Sequence, residues 1–307
     1  MPTLEILRRQ IESVEDLRSV VKTMKALALV SIRQYEQAQT ALYDYRFTVE
    51  LALQALLHDR RFSDRHFDPI PQAVSVASKP VGMIIFGSEQ GLCGSFNEQM
   101  VEYVVTQLAQ RQLAPDRCLI AAVGSRLPDR FAQTAYPIQT SFSLPSSLAG
   151  IPRLMQKLLT AIAQWRFPKT SASQAPVDQI LLFHHQSHSS SRHHPTSLQL
   201  LPLDRHWLET LQHRPWPSPG LPNLGLPQPQ LLSELIQQYL FVSLYRATVE
   251  SLASENTSRL MSMQAAEQNI GDRLDELTIN YRQQRQNAIT GELLDIVGGF
   301  EALNTSR

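Results

Sequence analysis

Residues 7–35 read LRRQIESVEDLRSVVKTMKALALVSIRQY. The apolar positions are Leu7, Ile11, Val14, Leu17, Val21, Met24, Ala28, Ile32 and Tyr35, and Leu42 and Val49 carry the stripe onward. Eight steps of three or four cover 28 residues, a mean of 3.5. That is the period of a left-handed coiled-coil seam. Glu5 sits in what would be the first turn, where a carboxylate suits the positive end of a helix. Neither glycine nor proline occurs between Pro2 and Pro69. A helix from about Thr3 to Leu57 would be about 80 Å long, too long to fold inside a domain of this size.

The other end of the chain has the same texture. Leu231, Leu235, Val242, Tyr245, Val249 and Leu252 form one stripe, and Met263, Ile270, Leu274, Leu277, Tyr281 and Ala288 extend it. No breaker occurs from Gln230 to Ile270, and Gly271 marks a flexible or closely packed point. Gly298 and Gly299 are expected to end this helix. Two heptad-like helices on one chain favour an antiparallel hairpin over pairing between molecules. Around Gln284, Arg285 and Gln286 the apolar run fails, so these side chains are expected to face something other than the seam.

Between the ends the breakers return. Val81–Phe86 (VGMIIF) reads as a buried strand, and Gly87 to Gly94 as a turn with Gly91, Cys93 and Gly94 at its heart. Ser95-Phe96-Asn97-Glu98 reads as a capping box opening a helix to about Arg111. Cys118–Val123 reads as a second strand, Leu148–Trp165 as an amphipathic helix, and Val177–His184 and Ser197–Leu203 as further strands. Six of the fifteen residues from Pro215 to Pro229 are proline, and the segment from Trp207 is read as irregular. The expected fold is therefore α/β: a long antiparallel coiled coil of the terminal helices with an inserted Rossmann-like α/β domain. Its parts are a helix over 1–58, the α/β domain over 75–205, a connector over 206–229 and a helix over 230–300.

Composition narrows the function. The 307 residues carry 28 basic and 28 acidic side chains, a balance that disfavours a phosphate-binding nucleic-acid partner. Two cysteines do not make a disulfide framework and fit a reducing compartment. Met1–Gln10 lacks a signal-peptide core, and no run of about 18 apolar residues suggests a membrane span. The loop Gly87–Gly94 sits where phosphate-binding loops sit, but it has no Gly-Lys-Ser/Thr ending and no dinucleotide spacing. Cys93, beside a helix start, could be an activated thiol, but its flanks Leu92 and Phe96 favour packing. His184, His185, His188, His193 and His194 cluster around a serine run that reads as a mobile loop, not a metal scaffold. No catalytic residue, no metal and no cofactor are expected.

Three stretches then carry a resemblance. RLMSMQAAEQNI (259–270) and NAITGELLDIV (287–297) look like the C-terminal signature of the gamma subunit of F-type ATP synthases. The Gly91-Leu92-Cys93-Gly94 loop with Asn97 resembles that family's glycine loop, and ILRRQIESV (6–14) and VKTMK (21–25) resemble its first helix. The resemblance covers both ends and the start of the middle, in family order. It implies a central rotor shaft, non-catalytic itself, that couples ion-driven rotation of a membrane ring to ATP synthesis or hydrolysis. The implied partners are the alpha and beta subunits around the shaft, and the epsilon subunit and c-subunit ring at its base. The implied location is peripheral, on the cytoplasmic face of a bacterial-type membrane. Arg285, Gln286 and Thr290 match positions of polar contact to the catalytic subunits, and Met24 and Lys25 match the first-helix region facing the same ring.

Departures are also visible. Glu89-Gln90 stands where many members have Asp-Arg, so an arginine contact from this loop is not implied. Residues 26–32 (ALALVSI) and Gly291 also differ from the usual pattern, pointing to a divergent branch such as the sodium-translocating type. No inserted cysteine pair like that of chloroplast members is present. The alternative is a helical-hairpin scaffold or adaptor with no rotary role. A soluble nucleotide-using enzyme built on the glycine loop is a third reading.

Overall fold

The computed structural model describes residues 3–58, 79–168, 175–189, 192–218, 220, 222 and 225–305. The expected residues 75–78 of the inserted domain, and Ser190 and Ser191, lie outside them. The chain forms two compact units, Met1–Ala28 with Arg259–Arg307, and Leu29–Ser258. Two helices run through both: α1 (Leu4–His58) and α6 (Gln228–Thr305).

In the first unit the expected seam is visible in the burial of its residues. Leu7, Met263, Leu274 and Leu277 are buried, and Ile11, Val14, Val21, Met24, Ile270 and Tyr281 are half-buried. Two expected seam positions fail: Leu17 and Ala288 are exposed. A strict seven-residue pattern drifts about 20° per heptad on a straight helix, so single positions can rotate out of the contact. The helix also passes through Gly298 and Gly299 instead of stopping there. Neither glycine takes the positive φ of a C-terminal cap, and without that turn glycine only weakens a helix.

The second unit is built on a five-stranded sheet of order β3-β2-β1-β4-β5. Its strands are β1 (Val81–Phe86), β2 (Cys118–Val123), β3 (Ile138–Phe142), β4 (Gln179–Ser189) and β5 (Arg192–Leu201). β1, β2, β3 and β4 are parallel, and β5 returns antiparallel to β4. The central β1 is buried at all six positions, as its unbroken apolar run requires when both faces are covered. Alternation sends Val81, Met83 and Ile85 toward α2 (Phe96–Gln110) and α3 (Leu127–Phe131). Ile84 and Phe86 go the other way, into a core with α4 (Ile151–Arg166) and the middle of α6. In α4 the buried face is Ile151, Leu154, Met155, Leu158 and Ile162, the three-and-four spacing of an amphipathic helix. Each such side chain contributes about 1.5–3 kcal/mol when fully buried. Gly82 lets α4 approach, because a Cβ there would meet the Trp165 ring at 2.8 Å.

α1 and α6 run antiparallel in this unit, since Gln39 meets Glu250 and Tyr45 meets Gln238. Val49, Leu53 and Leu56 pack with Leu235 and Val242 and with Leu211 of α5 (Arg205–His213). That last helix corrects the expectation of an irregular chain from Trp207. Asp204 caps it by accepting from the His206 amide at 2.9 Å, and the prolines that follow begin only at Pro215, beyond its last residue. β3 was not expected: its pattern is mostly exposed, as an edge strand's can be, so no apolar run announces it. The histidine segment is a second correction. It is a β-hairpin, with His184, His185 and His188 on β4 and His193 and His194 on β5, not a mobile loop.

Candidate functional site

The strand order reverses between β1 and β4, and Phe86 of β1 lies level with His184 of β4, one step beyond the Ile85–Phe183 pair. In open α/β sheets the crevice beyond the carboxyl ends of such strands is the usual ligand site. Here α6 fills it, and it does so with polar side chains. Glu250, Ser251, Ser254, Glu255, Thr257 and Ser258 are all buried.

Glu250 is at the centre, with a relative exposure of 2%. One carboxylate oxygen accepts from Gln39 Nε2 of α1 at 3.1 Å and from Arg246 Nε at 2.7 Å. The other lies 2.8 Å from His184 Nε2. Burial pushes the Glu250 pKa up, but the hydrogen bonds from His184 and Arg246 and the Arg246 charge outweigh it. The net result is a carboxylate held below its ordinary range. Further along, Ser254 Oγ donates to the His185 carbonyl at 3.4 Å. Glu255 accepts from the Glu89 and Gln90 amides at 3.3 and 3.4 Å, and Ser258 Oγ donates to the Cys93 carbonyl at 2.6 Å. The glycine loop's amides at 89 and 90 thus point at a protein carboxylate.

The loop itself turns differently from expectation. The left-handed φ values fall on Leu92 (63°) and Gly94 (57°), and Gly91 has no heavy atom within 4 Å of where its Cβ would be. Gly94 takes a left-handed φ that glycine adopts without strain, whereas nothing around Gly91 calls for the absence of a Cβ. Cys93 is buried, with its thiol directed to the Gln90 carbonyl at 3.7 Å, which is the packing role its flanks suggested. The capping box does not form: Ser95 makes no side-chain cap, and Asn97 instead accepts from the Ser88 amide at 2.9 Å. Glu98 pairs with Arg130 at 2.9 Å. Glu89 ties three loops together. It accepts from Ser125 N at 3.2 Å, Ser125 Oγ at 2.6 Å and Leu144 N at 2.8 Å.

The expected contact residues of the helices lie in the first unit and form two groups. Met24 is half-buried, and Lys25 forms an ion pair with Glu267 at 2.7 Å, lowering the Glu267 pKa mainly through that hydrogen bond. Arg285, Gln286 and Thr290 are exposed on α6, with Thr290 Oγ donating to the Gln286 carbonyl at 2.9 Å. Eighteen residues separate Glu267 from Arg285, about 27 Å of helix, so the two groups are not one site. Beyond Gln284 the α6 side chains Ile289, Leu293, Leu294, Ile296 and Val297 are 49–70% exposed. The buried polar face from Glu250 to Ser258 was missed. The signal was present in the ten residues 253–262 between the stripe positions Leu252 and Met263, five of them Ser, Thr or Glu.

A family model described as ATP synthase matches residues 3–303. The chain belongs to the ATP synthase gamma-chain family. ATP synthase gamma chains from Nitratiruptor sp. and Brevibacillus brevis are similar to it. The first is 25% identical across 99% of this chain and 100% of that protein, the second 27% identical across 96% and 97%. The fold is that of a chain in the Euglena gracilis mitochondrial ATP synthase, OSCP/F1/c-ring, in rotational state 3. That match has a TM-score of 0.65 at 18% identity, covering 99% of this chain and 95% of that one. This gamma-chain fold has its sheet crevice closed by its own long helix. No helix among the described residues is long and apolar enough to cross a membrane.

Proposed function

We propose that the protein is the central rotor shaft of an F-type ATP synthase, a non-catalytic subunit that couples ion-driven rotation to ATP synthesis or hydrolysis. Its partners in this reading are the alpha and beta subunits around α1 and α6, and the epsilon subunit and c-subunit ring. It works as a peripheral protein on the cytoplasmic face of the membrane. The observation that carries the reading is the far stretch of α6, where five large apolar side chains stand exposed beyond a polar break at Arg285 and Gln286. Covering such residues contributes on the order of 1 kcal/mol each, so a surrounding apolar sleeve would hold this stretch with no directional preference. Polar contacts at Arg285, Gln286 and Thr290, with Met24 and Lys25 farther along the hairpin, would then favour particular angles. A linked equilibrium needs differential contact of this kind between states.

Co-expression with alpha and beta subunits tests the reading. The chain should be recovered in a complex with ATPase activity. Within that complex Arg285→Ala with Gln286→Ala should lower coupled turnover while leaving assembly intact. Unchanged turnover would remove these residues from the coupling, and failure to assemble would remove the rotor reading itself.

A further inference from the structure

We propose that the buried polar face of α6 from Glu250 to Ser258 is the torsional coupling between the sheet and the helices, with Glu250 its principal positioning residue. The inference rests on the rotor reading above. If torque passes between the sheet and the helices, it crosses the interface that α6 makes with the loop after β1 and the middle of β4.

Apolar packing is non-directional and sets distance better than angle. The contacts at this interface are directional, and they reach three separate parts of the unit. Glu250 holds α1 through Gln39 and β4 through His184. Ser254 holds β4 again at the His185 carbonyl, and Ser258 holds the loop after β1 at the Cys93 carbonyl. A side-chain oxygen lies roughly 5–6 Å from the helix axis, so turning α6 by about 20° would move it about 2 Å. The contacts of 2.8 Å to His184 and 2.6 Å to the Cys93 carbonyl do not survive such a displacement as hydrogen bonds. The buried face therefore admits one angular register.

Stability alone does not call for this chemistry. A buried ion pair replaced by apolar residues of similar volume is often neutral or stabilising, whereas polar contacts can select a single arrangement. Glu250 touches no substrate; it acts by fixing how α6 is seated on the sheet.

The test uses the chain in its assembled ATP synthase in membrane vesicles. ATP hydrolysis is followed alongside the membrane potential it generates, read with a potential-sensitive dye so that the coupled ion need not be known. Glu250→Gln, and the apolar pair His184→Leu with Glu250→Met, should keep ATP hydrolysis while potential generated per ATP falls about fivefold or more. Glu250→Asp should recover part of it. Gln39→Leu changes an exposed position on α1 and keeps the test open if the buried variants do not assemble; it should give a smaller fall in the same direction. Parental potential per ATP in Gln39→Leu and in whichever Glu250 variants assemble would overturn the coupling role. Absence of ATP-driven potential with the parental chain would instead overturn the rotor reading.

Discussion

His185 lies fully buried midway along β4, stacked on Phe96 with ring centroids 3.9 Å apart. Neither of its ring nitrogens has a hydrogen-bond partner among the described residues. Burial pushes its pKa down to about 2, helped by the charges of His193, His184 and His194. Burial lowers His193 in the same way. The folded state therefore holds His185 neutral, while the unfolded chain takes up a proton below the ordinary histidine value of 6.5. The unfolded state binds more protons in that range, so stability is intact above pH 6.5 and falls as the pH drops below it. The slope is about 1.4 kcal/mol per pH unit for one group. His185→Phe should keep the ring stack, remove this part of the slope and leave stability at pH 7.5 equal or higher. Urea unfolding at pH 7.5 and pH 5 measures both; an unchanged slope in the variant would assign the acid sensitivity elsewhere. Glu250, whose folded pKa is depressed, adds a separate loss below the ordinary glutamate value of 4.5.

The long helices were legible from their apolar spacing because a two-stranded seam is a local, repeated pattern. Gly271 shows where local reading left a choice open. The helix runs straight through it, and no heavy atom lies within 4 Å of the Cβ it lacks. It is not a close-packing point, so Gly271→Ala should stabilise the protein by about 0.5–1 kcal/mol, measured as a shift in the unfolding midpoint. A loss of stability would mean that this site needs glycine's freedom. The β4–β5 hairpin was harder to read. Its polar histidines and serines look like loop, but Ile180 to Phe183 are fully buried and lead the strand straight into His184 and His185. What makes those two histidines strand residues is the α6 face packed over them, far away in sequence.

At the scale of the molecule, the exposed apolar stretch from Ile289 to Val297 is the feature a free chain would be least expected to keep. Leu293→Ser with Leu294→Ser should make the isolated chain less prone to self-association and weaken its assembly with alpha and beta subunits. Light scattering of the free chain and co-purification measure the two effects. Improved solubility with undiminished assembly would mean that this stretch is not the covered surface.

The terminal helices, the inserted α/β layers and the family were all readable from residues 7–35, 81–97 and 259–297, because period, breakers and motif are local properties of the chain. The twelve glycines and nineteen prolines mattered through their placement: none falls between Leu4 and His58, and only Gly271 falls between Leu231 and Ala288. Tertiary structure alone decided which polar residues are buried together. Glu250 is 211 positions from Gln39 and 66 from His184, and Ser258 is 165 from the Cys93 carbonyl. No periodicity encodes those meetings. They follow from the crossing of α6 over the point where the strand order reverses, where each polar group left without its partner would cost about 1–3 kcal/mol.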